Sequence, residues 1–498
     1  MDEAQSGAPA GASGRRAGEA GQLSPTFVAR AGRGLVRGTA VLSSAARHSR
    51  LPPPIALVKI AILGAGVSGL SLARFLVEGG VSAEALHLFE AGTRVGGLCQ
   101  SKSVGGFTYD VAGGHILYSK DTAALGWMKD CCGGDAAFAK KTRNTRIRYE
   151  HRWVNYPFEN GLGDLPPQAN FECIRGYVQA WHKRELEKSK APASFGAWVR
   201  WRFGDGIAEH FMEPYNEKIW KRELDALTSD WVAGRVPDAP VEDVLRSSVG
   251  IKTEGYTHQS SFYYPLRGGF QAITDGIAST LLPRVRLRTP VGELARTKAG
   301  WQVNGEDFDL VVSTLALTDL PQICRAMPAE VAVAMRTLEY NGMVSILLGL
   351  ERREHPDLSW IYLPHAVQGP ANRVTYMSNY SPHNAPKGKS SFLCEVTLPG
   401  GARYPGAELE TQVIEGMAAA GLLRRDEVLL TDRSEIRHAY VVFDHAYAAR
   451  RQAIFAWMES VELQPLGRFG RFEYDNSDQC VIRARALAER LLPRIQRG

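Results

Sequence analysis

Three glycines at fixed spacing constrain this chain more than any other feature. They stand in Val58-Lys59-Ile60-Ala61-Ile62-Leu63-Gly64-Ala65-Gly66-Val67-Ser68-Gly69-Leu70. The apolar run 55–63 suits a buried parallel strand, and a helical pattern follows to about Glu78. Gly64 permits a tight turn out of the strand. Gly66 lets the backbone approach a pyrophosphate, and Gly69 lets the helix pack close to the sheet. The helix N-terminus then offers free N–H groups and a positive dipole end to phosphates. A glycine turn alone is a weak signal, but this one has its context. A second strand is predicted over 85–90, and it ends on Glu90, 21 residues past Gly69. An acid there can accept hydrogen bonds from an adenosine ribose, although a lone Glu90 would equally be a solvated strand end.

Directly after Glu90 comes Ala91-Gly92-Thr93-Arg94-Val95-Gly96-Gly97-Leu98. This resembles the extended fingerprint of amine-oxidase and glutathione-reductase type flavoproteins. The resemblance implies FAD as the cofactor, with Arg94, Gly96, Gly97 and Leu98 near its pyrophosphate. A second cluster is Tyr109-Asp110-Val111-Ala112-Gly113-Gly114-His115-Ile116. Paired glycines let a backbone lie against a flat ring, so Gly114 is a cofactor contact. His115 is a candidate to touch flavin or substrate; its other reading is a structural histidine. Near the C-terminus, Gly467 to Gln479 is a glycine-bounded turn opening a helix. Gly470, Asn476 and Asp478 are read there as cofactor contacts, with plain helix capping as the alternative for Asn476 and Asp478.

Four segments together resemble one family. They are 58–70, Gly113-Gly114-His115, the Pro214–Trp220 helix and the Gly467–Asp478 terminus. The chain is similar to the flavoprotein group holding UDP-galactopyranose mutase, protoporphyrinogen oxidase and amine oxidase, from about residue 56 to 495. Asn144–Pro166, Ile207–Trp220 and Gly234-Arg235-Val236-Pro237 look most like the mutases. Two features depart from them: Asp238-Ala239-Pro240 follows Pro237, and Ala439-Tyr440-Val441-Val442 stands where mutases carry paired tyrosines.

The resemblance implies an α/β fold. A doubly wound, parallel-sheet FAD-binding (Rossmann-like) domain would comprise 55–145, 265–320 and 455–498. A discontinuous mixed α+β substrate domain would comprise 146–264 and 321–454. Val291 would end a strand near the adenine. Two reactions follow. The first is FAD-dependent oxidation of an unassigned small molecule, in the mutase-like branch. The second is isomerisation of a nucleotide-sugar on reduced flavin, with NAD(P)H as reductant. Arg235 and Arg267 would then clamp phosphate, since a guanidinium fork suits phosphate oxygens, unless they serve surface salt bridges. Tyr215 and Trp220 are candidates to stack on the substrate, although aromatics at helical spacing also fill cores.

Composition excludes other classes. The net charge of +6 is mild and spread along the chain, so no nucleic-acid surface is expected. No run of 18 apolar residues occurs, so no transmembrane helix is expected. The seven cysteines show no metal-binding spacing; free thiols in the cytoplasm and no metal site are expected. Residues 1–54 read as a disordered basic extension, with a transit peptide as the alternative. Helix is further predicted over 195–220, 329–338 and 478–492, and strands over 285–291, 301–303, 310–314, 343–350 and 391–397.

Overall fold

The computed structural model describes residues 58–232, 236, 240–253, 260–352 and 356–496. Arg235, the extension 1–54 and the first residues of the opening strand lie outside them. Two sheets organise the rest. The first has five strands: β1 (Ile60–Leu63), β2 (Leu86–Phe89), β3 (Val285–Arg286), β4 (Leu310–Ser313) and β5 (Gln464–Pro465). Their order is β5-β4-β1-β2-β3, and every pair is parallel. β1 is wholly buried, which is why its sequence is continuously apolar rather than alternating. Helix α1 (Val67–Glu78) leaves the end of β1, and helix α2 (Ser477–Ile495) packs beside α1.

The second sheet is mixed and has seven strands. Its order is Val428–Val441, Tyr340–Leu350, Ser390–Pro399, Arg373–Tyr376, Trp360–Tyr362, Thr145–Tyr149 and Arg152–Asn155. Only the contact between Trp360–Tyr362 and Thr145–Tyr149 is parallel; the others are antiparallel. This is the α/β class expected, with a parallel sheet and a mixed sheet.

Two local expectations need correction. The helix over 195–220 is not continuous. Gly204 breaks it with φ 77 and ψ 168, and a π-turn at Ala208–Met212 precedes the final helix Glu213–Trp220. The reason is close packing. A Cβ on Gly204 would stand 2.2 Å from the Gly176 carbonyl, on the neighbouring helix Pro167–Glu185. The strand over 285–291 shortens to Val285–Arg286, because the chain turns after Arg286 to hydrogen-bond the Gly92 and Glu90 carbonyls. Val291 therefore does not end a strand. It packs, half-buried, in an apolar cluster with Leu98 and Phe89.

Candidate functional site

The turn between β1 and α1 is held by backbone contacts. Gly64 (φ 104) donates its N–H to the Phe89 carbonyl at 2.8 Å. A Cβ on Gly69 would stand 2.1 Å from the Gly64 carbonyl oxygen, so only glycine lets α1 start this close to β1. Gly66 differs. A Cβ there would meet only the Gly97 Cα, at 3.8 Å, in the groove between the two glycines. The Gly96 N–H reaches across to the Ala65 carbonyl at 2.9 Å and holds the two loops together. Glu90 fixes the far side: its carboxylate accepts from Ala65 N–H at 3.0 Å and Gly92 N–H at 2.7 Å. A carboxylate has about four lone-pair positions, so it can still accept from ribose hydroxyls.

These loops form one end of a single cavity of about 750 Å³. Gly64, Gly66, Glu90, Gly96, Gly97 and Leu98 line that end. Gly114 and His115 also line the cavity, with Asn476 and Asp478 at the start of α2. Asn476 is the N-cap of α2 in a reciprocal capping box with Gln479. Burial pushes the Asp478 carboxyl up, against a hydrogen bond from Ser119. His115 stacks on Phe270 at 5.0 Å, and its buried Nδ1 has no hydrogen-bond partner. Burial lowers its basicity despite nearby Asp110. The glycine-walled groove and Glu90 fit a dinucleotide cofactor, while the His115 Nδ1 lies 3.9 Å from Asp110.

The other end is an aromatic chamber. Tyr215 stacks on Phe211 at 5.2 Å and meets Tyr362 edge-on at 4.9 Å. Trp220 is buried, donates to Asn216 Oδ1 at 3.1 Å and packs edge-on against Trp231. The π-turn brings Phe211 and Met212 to this wall together with Tyr215. Tyr440 also lines the chamber and stacks with Tyr474 at 6.2 Å. A tyrosine pair is thus present, but its second member comes from the C-terminal segment.

Some expected residues stand elsewhere. Arg94 is exposed and Gly470 packs against the end of β4, its virtual Cβ 2.9 Å from the Ser313 carbonyl. Neither lines the cavity, nor do Val291 and Gly69. Arg267 is exposed and does not line the cavity. Arg235 lies outside the described residues. Sequence reasoning missed Arg143, Glu159, Trp231, Trp360, Arg373 and Arg468, all of which line the cavity. Glu159 and Arg468 sit inside segments that carry the family resemblance, which is the signal that was there to read.

Comparison with known proteins agrees with this geometry. The family model described as flavin containing amine oxidoreductase matches residues 67–419. A crystal structure of reduced UDP-galactopyranose mutase is similar at 25% identity and a TM-score of 0.81, covering 88% of this chain and 96% of that one. A protein from Exiguobacterium sp. 255-15, described as a protoporphyrinogen oxidase, shares the fold at 16% identity and a TM-score of 0.66, covering 88% and 99% of the two chains. A flavin-containing amine oxidase of Oncorhynchus mykiss is 29% identical over 245 residues, 48% of this chain and 45% of that protein. The matched region spans less than half the length of the curated relatives. Among the described residues, no helix is long and apolar enough to cross a membrane.

Proposed function

Because the chain belongs to the flavin-containing amine oxidoreductase family and binds FAD, we propose that it oxidises an organic substrate rich in hydrogen-bond acceptors, held in the aromatic chamber. FAD supplies the redox chemistry when bound; the protein supplies position and electrostatics. The observation that carries this reading is a surplus of donors. Trp231 Nε1 and Trp360 Nε1 are buried without hydrogen-bond partners, and both residues line the chamber. Buried donors are nearly always paired, so a ligand that offers oxygens completes them. Arg143 lies 4.8 Å from the ring centres of both Tyr156 and Trp360, and Arg373 lines the same cavity. The Arg143 guanidinium favours an anionic ligand over a cationic amine, while the Arg373 charge is already met by Glu395.

In this reading Gly64, Gly66, Glu90, Gly96, Gly97 and Leu98 hold the adenosine and pyrophosphate. Gly114, His115, Asn476 and Asp478 face the ring end, and Tyr215 and Trp220 position the substrate. The FAD-binding domain comprises 55–145, 265–320 and 455–498; the substrate domain comprises 146–264 and 321–454. The test is Trp360→Phe, which keeps the ring and removes the N–H. The expected result is KM raised roughly five- to tenfold with kcat little changed, the size of one neutral hydrogen bond. An unchanged KM removes the donor argument.

A second reading, a nucleotide-sugar isomerase working on reduced FAD with NAD(P)H as reductant, is favoured by the likeness to the mutase over 88% of the chain. Arg235 would bind the phosphates. Under it, Arg235→Ala abolishes turnover of a nucleotide-sugar; a retained rate removes that role.

A further inference from the structure

Glu159 is a cavity-lining carboxyl that has no part in the cofactor cradle. It sits in the turn Phe158–Asn160, only 3% exposed. Phe158, Phe203 and Phe211 line the same cavity, and Phe158 stacks on Phe211. Its Oε1 is buried and has no hydrogen-bond partner. The titratable and charged groups that face it are Arg202, from helix Phe195–Ile207, and Tyr177, from helix Pro167–Glu185. Its backbone is fixed from a third side, where Ser247 Oγ donates to the Glu159 carbonyl at 2.9 Å.

A carboxyl in such a place either finds a cation or keeps its proton. No ion pair holds Glu159 among the described residues, and the adjoining walls are aromatic. We infer that Glu159 is a neutral carboxylic acid that donates a hydrogen bond to an acceptor atom of the substrate and so sets specificity at the deep end of the chamber. This rests on the proposed use of the chamber as the substrate site. It also adds a third donor to the two indole N–H groups. Burial pushes the Glu159 carboxyl up to about 7, against a small opposing pull from its own backbone and Arg202. The donor is therefore present in mildly acid solution and lost in alkaline solution.

The test uses the full, FAD-loaded chain and two redox-inert probes, UDP and protoporphyrin IX. Infrared difference spectra follow the carboxylic C=O band from pH 5.5 to 8.5. The expected band is present at low pH, fades through neutrality and is absent in Glu159→Gln. A probe that binds should shift the band. Its Kd should rise about tenfold per pH unit above the midpoint. Glu159→Gln keeps a neutral donor, so its affinity should stay within about twofold and no longer depend on pH. Glu159→Leu should lose roughly tenfold at low pH, the size of one hydrogen bond. No band at pH 5.5 overturns the inference whatever binds. Affinity that rises with pH and vanishes in Glu159→Gln also overturns it, because an ionised Glu159 would then be gripping a cation. A titrating band with neither probe bound supports the neutral acid and overturns the proposed substrate class.

Discussion

The Arg373 guanidinium grips the fully buried Glu395 carboxylate, at 2.7 Å from Nη2 and 2.8 Å from Nε. This pair holds up the loop that faces the ring end of the cofactor site. Glu395 Oε1 accepts the Gly114 N–H at 3.2 Å, and a Cβ on Gly113 would stand 2.8 Å from the same carboxylate. Glu395 thus couples the cavity wall to the mixed sheet. Arg373→Ala leaves a buried charge with only the Gly114 N–H and the Tyr440 hydroxyl, 3.4 Å away, to stabilise it. The expected cost is about 3 kcal/mol or more, read as a lower thermal midpoint, together with weaker FAD retention. An unchanged midpoint would show that water replaces the guanidinium.

The fingerprint glycines should separate folding from cofactor binding. Gly69→Ala places a methyl 2.1 Å from the Gly64 carbonyl oxygen, so α1 must move and the protein should be destabilised with or without FAD. Gly66→Ala meets no protein atom closer than 3.8 Å. That variant should fold with a near-normal thermal midpoint in its FAD-free form and bind FAD at least roughly tenfold more weakly, because its methyl occupies the pyrophosphate groove. Calorimetry of the FAD-free protein and an FAD titration separate the two. Equal FAD affinity in Gly66→Ala and the parent would refute the placement of the pyrophosphate.

Glu159 also gives stability a pH dependence. Its carboxyl titrates near 4.5 when unfolded and at about 7 when folded. Between these values the folded chain holds a proton that the unfolded chain has released, so stability falls as pH rises through that window. Below it the stabilisation of the neutral form is complete; above it the deficit levels off. Glu159→Gln does not titrate. Its advantage over the parent should grow from pH 4.5 to 7 by an amount on the order of 3 kcal/mol, and then stay constant. Parallel denaturation curves at pH 5 and 8 check this; an equal gap at both would contradict the neutral acid.

Much of the cofactor end was legible because backbone constraints write themselves into sequence. Gly64 and Gly69 are glycines for steric reasons, and β1 is continuously apolar because both of its faces are buried. The substrate end was less legible. The strand Val428–Val441 alternates weakly, since much of its length is half-exposed, and it was not anticipated. Trp231 is far in sequence from Trp360 and Arg373, which stand on two paired strands of the mixed sheet, and only the tertiary fold brings the three to one cavity. The break at Gly204 depends on the approach of Gly176, a tertiary contact with no local signature. Arg94 fits the local pattern yet stands exposed, which shows that a motif match does not fix a side chain's direction.

An anaerobic titration of the purified yellow protein separates net oxidation from isomerisation. The flavin band at roughly 450 nm is followed while organic anions, a porphyrinogen, amines and NAD(P)H are added in turn. An acceptor-rich organic anion alone should bleach the band, with no NAD(P)H present and no response to simple amines. Bleaching only by NAD(P)H, followed by interconversion of a nucleotide-sugar without net oxidation, would contradict it.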